Sequence, residues 1–186
     1  MAKVLGMLVA ALGAWGSAAQ ADEHGRWQAL ENNPSCSMWN ALPPHQNVTI
    51  TWSGACVNGK AQGRGTKVLR ALIDGDWKTA KYEGEMKEGK EHGRGVLVYA
   101  DSARYEGDWK DGKWHGHGVR VFANGDRYEG DWKDGKRTGR GVYEFANGDK
   151  CEGDWREDRL LGTGEGWQNG QLKKCYLDGD TIKFTD

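Results

Sequence analysis

Aliphatic side chains are scarce in this chain: hydrophobic residues make up 37% of it, against 29 glycines and 10 tryptophans in 186 positions. That composition supplies too little aliphatic volume for a conventional globular core, so burial has to come from aromatic rings lying over glycine. Long hydrophobic runs are missing as well. The run from Val4 to Trp15 is too short to span a bilayer. It follows Lys3 and gives way to small residues ending Ala19-Gln20-Ala21, the order of a secretory signal, expected over residues 1–21; a short buried helix is the alternative. The polar stretch from Asp22 to Arg26 and the lack of a cysteine at the expected cut argue against a retained anchor or a lipid attachment. An exported chain, periplasmic or secreted, is therefore expected.

Charge of one sign is absent too. Cleavage at the expected site would remove Lys3 and leave 25 basic against 27 acidic residues, a net charge of −2. Such a chain carries no field for nucleic acid, which is excluded as a partner, and gives only weak support to lipid-headgroup binding or other membrane association. There is no phosphate loop, nucleophile elbow or zinc-protease helix. The Gly-Gly-x-Gly-x-Asp nonapeptide of calcium-binding solenoids and the Cys-x-x-Cys knuckle of zinc sites are also missing. No cofactor and no enzymatic activity are expected.

The four cysteines, Cys36, Cys56, Cys151 and Cys175, suit an oxidising compartment. Of the three possible pairings, Cys36 with Cys56 and Cys151 with Cys175 is preferred, because each pair is local and lies at one end of the periodic region.

That periodicity dominates the sequence. Tyr82, Tyr105 and Tyr128 each open Tyr-Glu-Gly at a spacing of 23, and Cys151 takes the next place as Cys-Glu-Gly-Asp-Trp. Trp52-Ser53-Gly54 opens a degenerate earlier copy 30 residues before Tyr82, and Cys175 a truncated later one. Within a copy the alternation has period two, with Tyr105, Gly107 and Trp109 on one face and Glu106, Asp108 and Lys110 on the other, so the elements are strands. Asp111-Gly112, Asp134-Gly135, Glu88-Gly89 and Asn58-Gly59 are tight-turn signals, and Asn124-Gly125, Asn147-Gly148 and Asn169-Gly170 join one copy to the next. Two turns per copy make each a hairpin. The expected fold is all-β: an elongated antiparallel meander of tandem hairpins of about 23 residues, a single-sheet solenoid. Its expected parts are a non-repeat segment 22–50, a degenerate first copy 51–80, regular copies 81–150 and an irregular cap 151–186. Gly116 and Gly118 share a parity, as do Gly139 and Gly141, and are expected to lie beneath the rings.

Tyr-Glu-Gly-Asp-Trp-Lys-Asp-Gly-Lys, then Gly-x-Gly-Val, an aromatic and Ala-Asn-Gly-Asp, resembles the MORN (membrane occupation and recognition nexus) repeat, closely over Tyr82 to Trp155. The resemblance implies a twisted, elongated β-meander that scaffolds other molecules, at times as a dimer or at phospholipid headgroups, and it implies no reaction. Cys151 and Cys175 stand where the pattern has tyrosine. Equivalent positions in adjacent hairpins of a regular meander should sit about 10 Å apart, beyond disulfide reach, so the preferred second pairing requires an irregular last hairpin.

Residues that recur in every copy are poor candidates for catalysis. Glu83, Glu106, Glu129 and Glu152, with Asp108, Asp131 and Asp154, read as a solvated face neutralised by nearby Lys and Arg rather than as paired hydrolytic carboxylates. His115 and His117 should share the polar face with His92 one period away, an arrangement open to metal but lacking a fourth ligand. The rows Tyr105, Trp109, Tyr128 and Trp132 are core first, and where exposed a stacking platform for sugar or peptide. Trp114, where other copies have Glu91 and Arg137, is the best single candidate for an exposed contact. The leading function is thus an exported scaffold binding another protein or an envelope component, with homodimerisation through strand edges open to it. A cell-wall carbohydrate or lipid-headgroup module is the alternative.

Overall fold

A computed structural model describes residues 25–42, 47–178 and 181–185; the expected signal segment lies outside them. Sixteen strands form the described chain: β1 (Arg26–Ala29), β2 (Ser37–Asn40), β3 (Val48–Trp52), β4 (Ala55–Val57), β5 (Lys60–Ile73), β6 (Asp76–Lys87), β7 (Lys90–Val98), β8 (Arg104–Lys110), β9 (Lys113–Val121), β10 (Arg127–Lys133), β11 (Lys136–Glu144), β12 (Lys150–Arg156), β13 (Arg159–Leu160), β14 (Thr163–Gln168), β15 (Gln171–Asp178) and β16 (Thr181–Phe184). They make one open sheet in which each strand from β5 to β12 pairs antiparallel with the next, the meander that the period-two alternation demands. One departure is a parallel bridge, Ser37 with Lys60, where β2 crosses onto β5.

The Asp-Gly turns fall as two-residue loops with both central residues left-handed: φ is 51° and 86° at Asp111 and Gly112, and 51° and 84° at Asp134 and Gly135. Asn169-Gly170 turns the same way, with φ of 51° and 76°, but the connections at Asn124-Gly125 and Asn147-Gly148 are different. Phe122 and Asp126 close a three-residue loop in which Gly125 alone has positive φ, at 90°.

The two glycines of Gly-x-Gly do separate jobs. Register shifts fall between Gly84 and Glu85, Gly107 and Asp108, and Gly130 and Asp131. Opposite those bulges Gly93, Gly116 and Gly139 take φ of 61°, 57° and 56°, so the first glycine serves the backbone and not, as its parity suggests, a ring. The second serves the ring. Gly107 and Gly118 face each other across β8 and β9, and a Cβ on Gly118 would stand 2.7 Å from the Tyr105 ring. Tyr82 lies likewise over Gly84 and Gly95, Tyr128 over Gly130 and Gly141, and in the degenerate copy Trp52 over Gly54 and Gly65.

Between successive tyrosines sits the tryptophan of the next copy. Trp109 meets Tyr82 and Tyr105 edge-on, each at 5.2 Å, and donates its indole N–H to the Gly95 carbonyl at 3.2 Å. Trp132 and Trp155 repeat the hydrogen bond onto Gly118 and Gly141. The core is therefore a continuous Tyr–Trp zipper on one face of a curled sheet, with Tyr105 and Tyr128 fully buried.

Both ends are tied. Cys36 pairs with Cys56, and Cys151 with Cys175 at a Cα separation of 6.0 Å. The 10 Å expected of a regular meander is shortened because the sheet closes over β14: a Cβ on Gly164 or Gly166 would collide with the carbonyl oxygens of Glu152 and Lys150. The short β13 and the positive φ of Glu157, Asp158 and Gly162 supply the irregularity. Leu160 and the Cys175 sulfur fill the space over Gly153 and Gly164 that tyrosine fills elsewhere.

Gly118→Ala should cost about 3 kcal/mol by overpacking against Tyr105, whereas Gly148→Ala, at φ 90° in open space, should cost only about 1 kcal/mol of backbone strain. Denaturant melts of the two variants check the difference. Replacing Cys151 and Cys175 together by serine should remove about 3 kcal/mol, the loop-closure value for a 24-residue separation.

Candidate interaction trough

The curl gives the sheet a convex and a concave face. On the convex face the recurring charges hold one another: Lys81 with Glu83, Arg104 with Glu106, Arg127 with Glu129 and Arg140 with Glu152. The hydrogen bond from Arg127 holds the Glu129 carboxyl below its usual range. These carboxylates are a solvated, self-compensating ladder.

The histidines divide across that ladder. The bulge at Gly116 puts His115 opposite Asp108 on β8 and His117 opposite Asp131 on β10. His117 lies 3.6 Å from Asp131 and 3.7 Å from Glu129, and His92 lies 3.7 Å from Asp111. The intervening bulge breaks the shared alignment that alternation alone suggested. Among the described residues no three His, Cys, Asp or Glu side chains gather where they could hold a metal ion.

The aromatic rows are core. Tyr105 and Tyr128 are fully buried and Trp109 and Trp132 nearly so, leaving no open ring face along them. Trp114 overturns its expected role as a free surface contact, being only 5% exposed. Its ring stacks on Tyr105 at 4.5 Å and 11° and meets Trp132 edge-on at 4.9 Å. A residue that departs from the repeat has here been absorbed by the neighbouring copies.

Register defines what lies in front of the zipper. One line across the sheet runs Lys67, Tyr82, Leu97, Tyr105, Arg120, Tyr128, Tyr143 and Cys151. The tyrosines that open copies recur along it, while the return-strand members, Lys67, Leu97, Arg120 and Tyr143, are all different. The residue nine places into each copy also varies: Glu91, Trp114, Arg137 and Leu160. Of those non-recurring side chains, Lys67, Glu91, Leu97 and Trp114 line one hollow of a trough, and Arg137 and Tyr143 a second. The first, of about 100 Å³, lies between Leu97, Tyr99, Trp109 and Trp114, with Trp39 and Leu42 of the N-terminal segment closing one side. The second, of about 250 Å³, lies between Phe122, Arg137, Tyr143, Trp155 and Ile182. Neither is visible to a search for recurring residues, because the positions become equivalent only once the pairing register is known.

Two ladders of hydrogen bonds hold the trough's rims. At the tight turns Gly112 donates to the Glu91 carbonyl and Gly135 to the Trp114 carbonyl, both at 2.9 Å, and β2 caps this rim, Trp39 donating to Gly89 and Ser37 to Gly59. At the other rim Asp126 accepts from the Ala146 N–H at 2.9 Å and from the Tyr143 hydroxyl at 2.6 Å.

The MORN repeat family model matches residues 82–104, 105–127 and 128–150, the same 23-residue units that the register defines. The chain carries three MORN repeats. No curated protein matches the sequence. MORN repeats are interaction modules for proteins and membranes, and the matched units hold the Tyr–Trp zipper and most of the trough. Among the described residues no helix is long and apolar enough to cross a membrane.

Burial pushes the hydroxyls of Tyr82, Tyr105, Tyr128 and Tyr143 well above the usual tyrosine range, and that of Tyr99 up to about 12 despite the opposing pull of Arg120. A folded-state pKa above the unfolded value means that the folded MORN array holds its protons longer. Stability is then intact below about pH 10, where unfolded tyrosine titrates, and is lost as pH rises further. Phenolate absorbance should accordingly appear together with unfolding in alkaline titration; gradual ionisation of these tyrosines near pH 10 in a folded chain would contradict the buried zipper.

Proposed function

We propose that this chain is an exported, non-enzymatic MORN scaffold whose concave trough receives a segment of another protein. One observation carries the reading: recurring residues build the sheet and the zipper, whereas the trough in front of them is lined by side chains that differ from copy to copy. A surface whose shape repeats and whose chemistry does not is suited to reading one extended partner along its length. The apolar hollow at Leu97 and the mixed one at Phe122 suit side chains of such a partner.

A carbohydrate module would need open ring faces. Lys60 sits over the Trp27 ring at 4.0 Å and Arg70 over Trp77 at 5.1 Å, so two of the exposed tryptophans already carry a cation on one face. The paired cysteines at both ends favour an oxidising compartment, in accord with the N-terminal signal pattern, periplasmic or extracellular.

The test is capture from cell-envelope extract and from purified glycans in parallel, using wild type, Leu97→Gln in the trough and Arg94→Glu on the exposed convex face. The expected result is one protein retained by wild type and by Arg94→Glu, and retained at least about tenfold less by Leu97→Gln, the loss that 1.4 kcal/mol of contact energy brings. Retention by glycan that ignores Leu97→Gln would replace this reading with the carbohydrate one.

A further inference from the structure

Of the cations at the non-recurring positions of the trough, Lys67, Arg120 and Arg137, two have an acid. Lys67 is paired with Glu91 at 2.6 Å, both side chains largely buried. Arg137 is held by Asp158, through its Nε to the carboxylate at 3.1 Å and through Nη2 to the backbone carbonyl at 3.0 Å. Arg120 has none. It is 3% exposed, and its Nε and Nη1 are buried without a hydrogen-bond partner.

Comparison between copies shows why. Lys67 pairs in register with Tyr82, and Arg120 pairs in register with Tyr128. Glu91 stands nine residues after Tyr82 and Arg137 nine after Tyr128. The position that gives Lys67 its carboxylate therefore gives Arg120 another guanidinium, already committed to Asp158. The surroundings of Arg120 are rings and one phenol, with its guanidinium 4.9 Å from the Tyr99 ring, 4.7 Å from Trp114 and 5.3 Å from Phe122, and hydrogen-bonded to the Tyr99 hydroxyl. Rings favour a cation and the Tyr99 hydroxyl is a neutral partner, but neither supplies a counter-charge or satisfies Nε and Nη1, and a buried charge without a counter-charge is disfavoured until something supplies one.

We propose that Arg120 is the anion-accepting centre of the trough, and that the partner brings to it a carboxylate side chain flanked by apolar residues. This rests on the reading of the trough as a peptide site. The geometry selects the chemistry. Tyr99 and Trp114 line the first hollow and Phe122 lines the second, so Arg120 stands on the divide between a largely apolar pocket and one in which Asp126, Arg137 and Thr181 join apolar and aromatic walls. A segment crossing that divide presents one anion between apolar side chains. A planar, singly charged carboxylate matches a single guanidinium fork. A phosphate would leave charge over, because the next cation, Arg137, is already neutralised by Asp158.

The test is selection of a random dodecapeptide library against the full chain with both disulfides closed. The peptides are fused through their C termini, so that a carboxylate has to come from a side chain. The expected result is enrichment of Asp or Glu at one position with apolar residues on both sides, and loss of that acidic preference, but not of the apolar one, when Arg120→Met is the target. Apolar peptides with no acidic position would overturn the role of Arg120 while leaving the trough as a peptide site. So would an acidic preference that survives Arg120→Met. If no peptide is enriched, the peptide reading itself fails, and thermal stabilisation of wild type by 3-phenylpropionate but not by 3-phenylpropionamide would then assign the site to a small carboxylate. Should Arg120→Met not fold, the wild-type selection still decides whether a carboxylate is required.

Discussion

Everything in this molecule depends on a tyrosine ring lying across two glycines that face each other on adjacent strands. The contact requires that neither glycine carry a Cβ: on Gly107 one would meet the Gly118 backbone at 2.5 Å, and on Gly118 it would meet the Tyr105 ring. Bare backbone lets the two strands close on one side, and repetition of that closure at Tyr82, Tyr105 and Tyr128 bends the whole sheet the same way. The bend makes one face concave. The tryptophan of each following copy then enters between two tyrosines, and its indole N–H reaches the carbonyl of the glycine beneath the earlier ring. Burial by rings over bare backbone thus replaces the aliphatic core that the composition could not supply.

A stack of this kind buries its units only against their neighbours, so its ends have to be finished by other means. At the N-terminal end β2 lays its N–H groups on the carbonyls of Gly59 and Gly89, using the turn rim as though it were one more strand. At the other end the tyrosine is replaced by Cys151, and a disulfide with Leu160 occupies the place of the ring. The substitution of cysteine for tyrosine is thus the signature of a terminal copy rather than a lapse in the repeat. Among the described residues β16 keeps one unpaired edge, and Lys183 on it provides the charge that commonly discourages further strand addition.

The strand period, the copy length and the tight turns were legible in the sequence because they depend on neighbours along the chain: Asp111-Gly112 needs only its own two φ angles. What depends on the pairing register was not. Gly116 and Gly118 have the same parity and look alike, yet one bends the backbone at a bulge and the other lies beneath a ring. Trp114 stands out as the member that breaks its column, and that distinctness suggested an exposed contact. Its environment is set instead by Tyr105 and Trp132 on either side, which bury it. The trough residues stayed hidden for the converse reason. Leu97, Arg120 and Tyr143 share a column in space, but having nothing in common as side chains they leave no periodic trace.

That division also bears on what kind of function the array can hold. Side chains that recur must satisfy one another, since whatever one copy presents the next presents again about 10 Å on; the convex ladder of alternating Lys, Arg, Asp and Glu does this and has little left over. Unsatisfied chemistry can persist only where copies differ. Along the trough Lys67 is neutralised by Glu91, Arg137 by Asp158, and Asp126 is held by the Tyr143 hydroxyl and the Ala146 N–H. With those groups satisfied, Arg120 is the trough cation, among the described residues, whose N–H donors have no answering acid within the chain. It can hold an anion in place, which is the property required of a binding surface.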